Sequence, residues 1–177
     1  MNFAAFKYCF LFVLKYLQDL PRYADKIVVE YGSAALDPMS SFRSIFMGYQ
    51  YIGVDIQECS NVDLIIKDDK IPLPDGSVDV VVSSSCFEHS EFFWESFLEM
   101  VRIVKPGGDI HLSVPSSGAV HRHPVDCWRF YPDSGKALVN YAKKNGYTLE
   151  LVESFIENDP SPTEPSWELC INNFRRV

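Results

Sequence analysis

The chain has 177 residues, 47% of them apolar, so it is long enough to bury one sizeable core, and its composition excludes a disordered protein. The formal net charge is −8 and no block of lysines and arginines occurs, which argues against a nucleic-acid partner held through its phosphates. The five cysteines are scattered without a C-x-x-C pair, which favours reduced thiols in a cytoplasmic protein and argues against a cysteine-built zinc site.

The N-terminal segment is strongly apolar over residues 3–17, interrupted only by Lys7 and Lys15. This run is shorter than the roughly 20 residues that a transmembrane helix needs, so no transmembrane segment is expected. The pattern predicts an N-terminal apolar helix within residues 1–22, ended by Pro21, ahead of a domain spanning residues 23–177. We expect the helix to dock on that domain, with a partner chain or a membrane surface as the alternatives.

Residues 26–55 read as a strand, a glycine turn, a short helix and a second strand. The strands are predicted at 26–32 and 50–56, and the helix begins at Asp37 with a proline after it. An acidic residue stands near the end of each strand, Glu30 on the first and Asp55 on the second. Asp55 follows Gly32 by roughly the 20 residues at which a carboxylate meets a ribose diol in βαβ nucleotide-binding units.

The rest of the chain alternates strands with helices. Further strands are predicted at 61–67, 78–85, 110–114, 147–156 and 167–175, and further helices at 91–104 and 132–144. The valine run of 78–85 indicates a central parallel strand covered on both faces, whereas the last strand comes late enough to pair antiparallel beside the sixth. The sequence therefore predicts an α/β fold with a doubly wound, seven-stranded, mostly parallel sheet.

Five segments in this order carry a family resemblance: 28–33 (VVEYGS), 51–56 (YIGVDI), 71–81 (IPLPDGSVDVV), 86–89 (CFEH) and 99–108 (EMVRIVKPGG). Together they resemble the class I S-adenosylmethionine-dependent methyltransferases. A later segment, 121–132, is similar to a subgroup with a YPxDxWRF loop. The family's first motif is richer in glycine than Gly32-Ser33-Ala34-Ala35, and Lys67 stands where the family has an acid, with Asp68 next.

The resemblance implies a Rossmann-like methyltransferase fold and S-adenosyl-L-methionine as the cofactor. In such a sheet the ligand lies at the carboxyl ends of the strands, where Asp55 is expected to hold the ribose hydroxyls and Ile56 to pack on the adenine. Glu30 is expected near the methionine portion. The cofactor-binding residues are therefore predicted to be Glu30, Gly32, Ser33, Asp55, Ile56, Asp68 and Ser84. A nicotinamide oxidoreductase is disfavoured because G-x-G-x-x-G is absent.

The acceptor is expected at the loops after the fourth and fifth strands. His123, oriented by Asp126, is the favoured base, and His89 is a second candidate. The alternative is a purely structural loop in which Arg129 pairs with Asp126. The His-x-His-x-x-Asp pattern could hold a divalent metal, but three such residues on one loop are weak evidence, and no metal site is predicted.

The predicted function is methylation of a hydroxyl or amine on a small-molecule or glycan-like, sugar-bearing substrate. The alternative is a catalytically inactive binding module or pseudo-enzyme of the same fold.

Overall fold

The computed structural model describes residues 3–17, 25–35, 41–157 and 167–177. Two layers of helices enclose one sheet, and two short 3-10 helices lie at Phe42–Ser44 and Phe87–His89. The helices are α1 (Phe3–Tyr16), α2 (Phe93–Ile103) and α3 (Asp133–Lys144). The strands are β1 (Ile27–Tyr31), β2 (Gln50–Asp55), β3 (Leu64–Ile65), β4 (Val78–Ser84), β5 (Val104–Pro115), β6 (Leu149–Ile156) and β7 (Leu169–Arg176).

The seven strands form a single sheet in the order β3-β2-β1-β4-β5-β7-β6. Pairing is parallel from β3 to β5, while β7 runs antiparallel to both β5 and β6. The predicted doubly wound sheet with an antiparallel last strand is confirmed. The strand order reverses between β1 and β4, so the carboxyl ends of these two strands meet at the point where such sheets bind ligands.

The valine run of β4 explains its central place, because six of its seven residues are buried. Val80 and Val82 face the cluster that contains α1, whereas Val81 faces the cluster beneath α2 and α3. A strand with apolar side chains on both faces is stable only between two helical layers. The sequence of β4 therefore fixes it in the middle of the sheet.

Helix α1 packs on one face of this sheet through Ala4, Ala5, Cys9 and Phe12, which are buried in one apolar cluster with residues of β1, β4 and β7. Other apolar residues of α1 remain exposed, namely Phe3, Phe6, Phe10, Leu11 and Leu14. Within the described ranges, no helix combines the length and apolar character that crossing a membrane requires.

Three local predictions differ from the structure. The predicted helix between β1 and β2 is represented in the described residues by the 3-10 turn Phe42–Ser44, and its expected start at Asp37 lies outside them. β3 has only two residues. The segment 105–108, expected to be a turn after α2, is already part of β5, which follows α2 without a connection. The predicted helix end at Pro21 and the loop 157–166, except for Glu157, also lie outside the described residues.

His111 of β5 is fully buried under α1, with its Nδ1 2.8 Å from Asn173 Oδ1 and its ring against Phe12. Burial lowers the pKa of His111 to about 4, because the apolar surroundings disfavour the charged imidazole. Between about pH 6.5 and this value the unfolded chain binds a proton that the folded chain does not, so stability falls as the pH falls.

We expect the free energy of unfolding to drop by about 2 kcal/mol from pH 7 to pH 5 through this residue alone. Urea unfolding at both pH values, on the natural chain and on His111→Gln, measures it. The variant should lose that part of the pH dependence; an equal pH dependence in both chains would contradict the assignment.

Candidate active site

The turn after β1 lies at the point where the strand order reverses. The amides of Gly32 and Ser33 both donate to Val54 O, at 2.9 and 3.1 Å, which ties this turn to the end of β2. Gly32 has a φ of +78°, and a Cβ at this position would lie 2.5 Å from Cys86 Sγ. The glycine therefore allows the loop after β4 to come into direct contact with the turn after β1.

Asp55 closes β2 beside this turn. Its Oδ2 accepts a hydrogen bond from Ala34 N at 2.9 Å, and its Oδ1 accepts one from Gln57 N at 3.0 Å. Each carboxylate oxygen can accept a further hydrogen bond, so the orientation is fixed while acceptor capacity remains. Ile56, the next residue, is 66% exposed, which leaves an apolar side chain open beside the carboxylate.

Glu30 lies beneath the turn and is only 3% exposed. Its carboxylate accepts hydrogen bonds from Ser41 Oγ at 2.8 Å, Tyr51 Oη at 2.7 Å and Phe42 N. Burial raises the pKa of the Glu30 carboxyl, and these donors oppose the shift. Through the hydrogen bonds from Ser41 and Phe42, Glu30 braces the segment that begins at Ser41.

The other predicted cofactor residues differ in their surroundings. Ser33 is buried, and among the described residues its hydroxyl has no hydrogen-bond partner. Ser84 ends β4 and its hydroxyl is likewise unpaired within those ranges. Asp68 is exposed at φ +49° in a tight reversal that joins Lys67 to Lys70. Asp68 therefore stands beyond the end of β3, while Ser84 lies at the strand reversal itself.

Three side chains with metal-binding or proton-accepting atoms converge at the end of β4. Glu88 Oε1 lies 3.7 Å from His89 Nε2 and 4.0 Å from His121 Nε2. Glu88 is 1% exposed, and burial raises the pKa of its carboxyl to about 7. Burial also lowers the pKa of His89. Glu88 and His89 belong to the 3-10 helix after β4, whereas His121 comes from the loop after β5.

Asp126 organises the loop of residues 116–132, here called the β5–α3 loop. Arg129 binds both of its oxygens, at 2.5 and 2.8 Å, and these hydrogen bonds hold the pKa of the Asp126 carboxyl well below its ordinary value. Asp126 Oδ2 also accepts from His121 N at 2.8 Å and lies 3.3 Å from His121 Nδ1. Its described partners are therefore Arg129 and His121. His123 is exposed, and its ring centroid lies 6.0 Å from that of His121.

The same loop is fastened to the domain at several points. Cys127 N donates to Glu88 O at 2.7 Å, and Trp128 Nε1 donates to Ser90 O at 2.9 Å. Phe130 is buried in the core beneath α2 and α3. These contacts and the Arg129–Asp126 pair agree with the alternative interpretation, in which the loop has only a structural role. They also keep His121 close to Glu88.

Glu88 and Cys86 were not selected as site residues from the sequence, and His121 was grouped with His123, but His123 was favoured. Glu88 stands directly before the candidate His89, and its position just after a buried strand was the available signal. His121 was seen as one of two histidines of the loop, but nothing in the spacing shows which of them Asp126 supports. The contact between Cys86 and Gly32 joins segments far apart in the chain, so no local pattern could reveal it.

Residues 38–112 match the sequence model of a family described as "Methyltransferase domain". An uncharacterised methyltransferase of Mycobacterium bovis BCG is 35% identical over 78 residues, which is 44% of this chain and 30% of that protein. The corresponding protein of Mycobacterium tuberculosis H37Rv is 33% identical over the same shares. The match thus spans about a third of the length of these curated relatives.

Two solved structures share the fold over nearly the whole chain. One is the 1,6-didemethyltoxoflavin-N1-methyltransferase of Burkholderia thailandensis with bound 1,6-didemethyltoxoflavin and S-adenosylhomocysteine, at TM-score 0.66 and 14% identity, covering 98% of this chain and 79% of that one. The other is the geranyl diphosphate C-methyltransferase of Streptomyces coelicolor, at TM-score 0.65 and 13% identity, covering 97% and 80%. At these identities the likeness shows the fold.

The match over residues 38–112 and the sheet order show the fold of a methyltransferase domain and agree with the predicted class I S-adenosylmethionine-dependent family. The predicted Rossmann-like fold is confirmed.

Proposed function

We propose that this protein transfers a methyl group from S-adenosyl-L-methionine to a hydroxyl or amine of a small molecule or sugar-bearing metabolite. The observation that carries the proposal is Asp55, which stands at the strand reversal with its carboxylate oriented by amides of two loops. An acid held in this way can accept hydrogen bonds from both ribose hydroxyls. The open side chain of Ile56 would cover the adenine, and the Gly32 turn would face the rest of the cofactor.

The protein's task in such a reaction is to position the acceptor, exclude water and take up a proton. When bound, the cofactor supplies a methyl group already activated on a sulfonium. His89, His123 and Asp126 are proposed to serve the acceptor, and the contacts add His121 as the histidine that Asp126 supports. A neutral imidazole on the loops after β4 and β5 can accept the proton that a hydroxyl or ammonium group releases.

The remaining partner assignments follow from surface and charge. We propose that α1 belongs to this domain, supported by Ala5, Cys9 and Phe12 in the sheet cluster, while its exposed apolar residues leave a partner chain or membrane surface as further possibilities. The net charge of −8 favours a small acceptor over a nucleic acid. The five cysteines are all free thiols, which supports a cytoplasmic location.

A second candidate is a binding module that keeps the fold without turnover. Ser33-Ala34-Ala35 stand where the family has further glycines, and side chains there limit how closely a ligand approaches the backbone. This candidate predicts weak or absent cofactor binding.

Calorimetric titration of the whole chain with S-adenosylmethionine, S-adenosylhomocysteine and NAD tests the proposal. We expect saturable binding of the first two and none of NAD, because the Asp55 site is matched to an adenosine ribose but the pyrophosphate-binding glycine motif is absent. Absence of binding by all three would favour the module. Binding of NAD alone would overturn the methyltransferase proposal.

A further inference from the structure

Glu88, His89 and His121 place one carboxylate oxygen and two imidazole nitrogens within 4.8 Å of one another. We propose that these three residues form a binding site for one zinc-class divalent cation, with both Nε2 atoms and a Glu88 oxygen as ligands. The cation would join the 3-10 helix after β4 to the β5–α3 loop. With a cation bound, the Nε2 lone pairs of His89 and His121 are occupied, so His123 is then the proton acceptor proposed for methyl transfer. Cation binding itself is measured without cofactor or acceptor.

The Nδ1 of His89 is held in the way that metal-binding histidines require, while His121 is tied to Asp126 through its backbone amide. His89 Nδ1 lies 2.6 Å from Val125 O, a carbonyl that can only accept, so the proton sits on Nδ1 and the lone pair on Nε2 points toward Glu88. His121 Nδ1 lies 3.3 Å from Asp126 Oδ2, and Arg129 fixes that carboxylate. The Val125 carbonyl behind His89 sets its tautomer and raises its basicity. His121 Nδ1 forms no hydrogen bond among the described residues, and the bond from His121 N to Asp126 Oδ2 keeps the ring beside that carboxylate.

The distances suit a small ion. Zinc bonds of 2.0–2.1 Å in a tetrahedron place neighbouring ligand atoms about 3.4 Å apart. The separations from Glu88 Oε1 are 3.7 Å to His89 Nε2 and 4.0 Å to His121 Nε2, and all three ligand atoms lie within 4.8 Å of one another. Binding one ion therefore requires the two imidazoles to approach each other by up to about 1.4 Å, the difference between 4.8 and 3.4 Å. The side chains of His89 and His121 are 17% and 29% exposed, which leaves one side of the cluster open for a fourth ligand.

The buried carboxylate supplies an independent argument. Glu88 is almost fully buried, and its Oε2 has no hydrogen-bond partner among the described residues. A buried carboxylate oxygen without a partner is costly, and a cation between Glu88 and the two imidazoles would compensate it. Two carboxylates, Glu88 and Asp126, interact with the guanidinium of Arg129, so the local charge also favours a cation.

Two imidazoles and one carboxylate determine which ions the site would prefer, and these three ligands are not those of the His-x-His-x-x-Asp pattern. Imidazole with one carboxylate suits zinc and iron(II), whereas magnesium prefers a shell of oxygen atoms. The His-x-His-x-x-Asp pattern combined His121 with His123 and Asp126, and no metal was predicted from it. In the folded chain Asp126 accepts a hydrogen bond from the His121 backbone amide, and Glu88 supplies the carboxylate beside the two imidazoles.

The experiment uses the whole chain, stripped with a chelator, and measures Zn²⁺ binding by competition with a chromogenic chelator and Co²⁺ binding by visible absorption. Glu88→Gln and His121→Ala should each weaken Zn²⁺ binding at least about 10-fold. Two matched controls should leave it unchanged: His123→Ala removes an exposed histidine of the same loop, and Cys127→Ser removes its exposed thiol. S-adenosylhomocysteine titration of every variant reports whether the cofactor side has stayed folded.

One Zn²⁺ per chain, preferred over Mg²⁺ and lost only in the Glu88 and His121 variants, is the expected result. Equal Zn²⁺ binding by the natural chain and these two variants would overturn the site, as would no preference over Mg²⁺. A loss in His123→Ala or Cys127→Ser as large as in His121→Ala would overturn the choice of ligands. Retained zinc binding with no S-adenosylhomocysteine binding would leave the cation site standing while the proposed function fails.

Discussion

Replacing Asp55 with alanine is expected to weaken the binding of S-adenosylmethionine and S-adenosylhomocysteine by about 1–3 kcal/mol, roughly 5- to 150-fold in the dissociation constant. The variant removes the acceptor proposed for both ribose hydroxyls. It also releases Ala34 N and Gln57 N, whose hydrogen bonds to Asp55 hold the two loops at the strand reversal. Both effects act on the cofactor side of the site, so calorimetric titration measures them directly.

Asp75→Ala is the matched control for this change. Asp75 is an exposed aspartate that precedes β4, so it lies at the amino-terminal ends of the strands, away from Asp55, and it pairs with Arg102. Its loss should leave cofactor affinity unchanged. If Asp55→Ala bound the cofactor as tightly as the natural chain, Asp55 would have no part in the site, and the observation that carries the proposed function would be lost.

Gly32→Ala is expected to lower the free energy of unfolding by about 2–4 kcal/mol, from two separate causes. An alanine at φ +78° is destabilised, because its Cβ makes the left-handed backbone conformation sterically unfavourable. Its Cβ would also lie 2.5 Å from Cys86 Sγ and 2.7 Å from Cys86 Cβ, which forces the loop after β4 away from the turn. Urea unfolding gives the stability, and cofactor titration should show a loss of affinity as well.

Two further variants separate these causes. Gly146 has a φ of +88°, and a Cβ added there would contact no other atom. Gly146→Ala therefore strains only the backbone and should lower the free energy of unfolding by less than Gly32→Ala does. Cys86→Gly, combined with Gly32→Ala, removes both clashing atoms and should recover part of the loss. Equal costs at positions 32 and 146 would show that contact with Cys86 contributes nothing.

The strand-end residues proposed to hold the cofactor could be placed from the sequence, because their signals are local. Asp55 ends a short apolar run, and Gly32 ends another, so each residue is placed by its own strand once parallel pairing is assumed. Glu30 shows where this reasoning stops. Its position at a strand end was read correctly, but whether its carboxylate faces a ligand or the protein depends on Ser41 and Tyr51, which pack on it only in the folded chain.

The residues proposed to serve the acceptor were less predictable, because they come together only when the loops after β4 and β5 meet in the folded chain. His121 and His123 are nearly equivalent in the sequence, two residues apart on one loop. Burial of the Asp126 side chain between Arg129 and the backbone of His121 distinguishes them. Glu88 is proposed as a cation ligand because it is buried and lies close to His89 and His121, which belong to different loops.

The sequence alone determined the order of strands and helices, the central position of β4 and the acid at the end of β2, because these follow from hydrophobic patterns within single segments. Only the tertiary structure decided that β5 follows α2 directly, that Glu30 braces the protein, and that Glu88, His89 and His121 converge. Such choices depend on which side chains approach one another across loops. Burial and directed hydrogen bonds select those contacts, and neither is encoded in the spacing of residues along the chain.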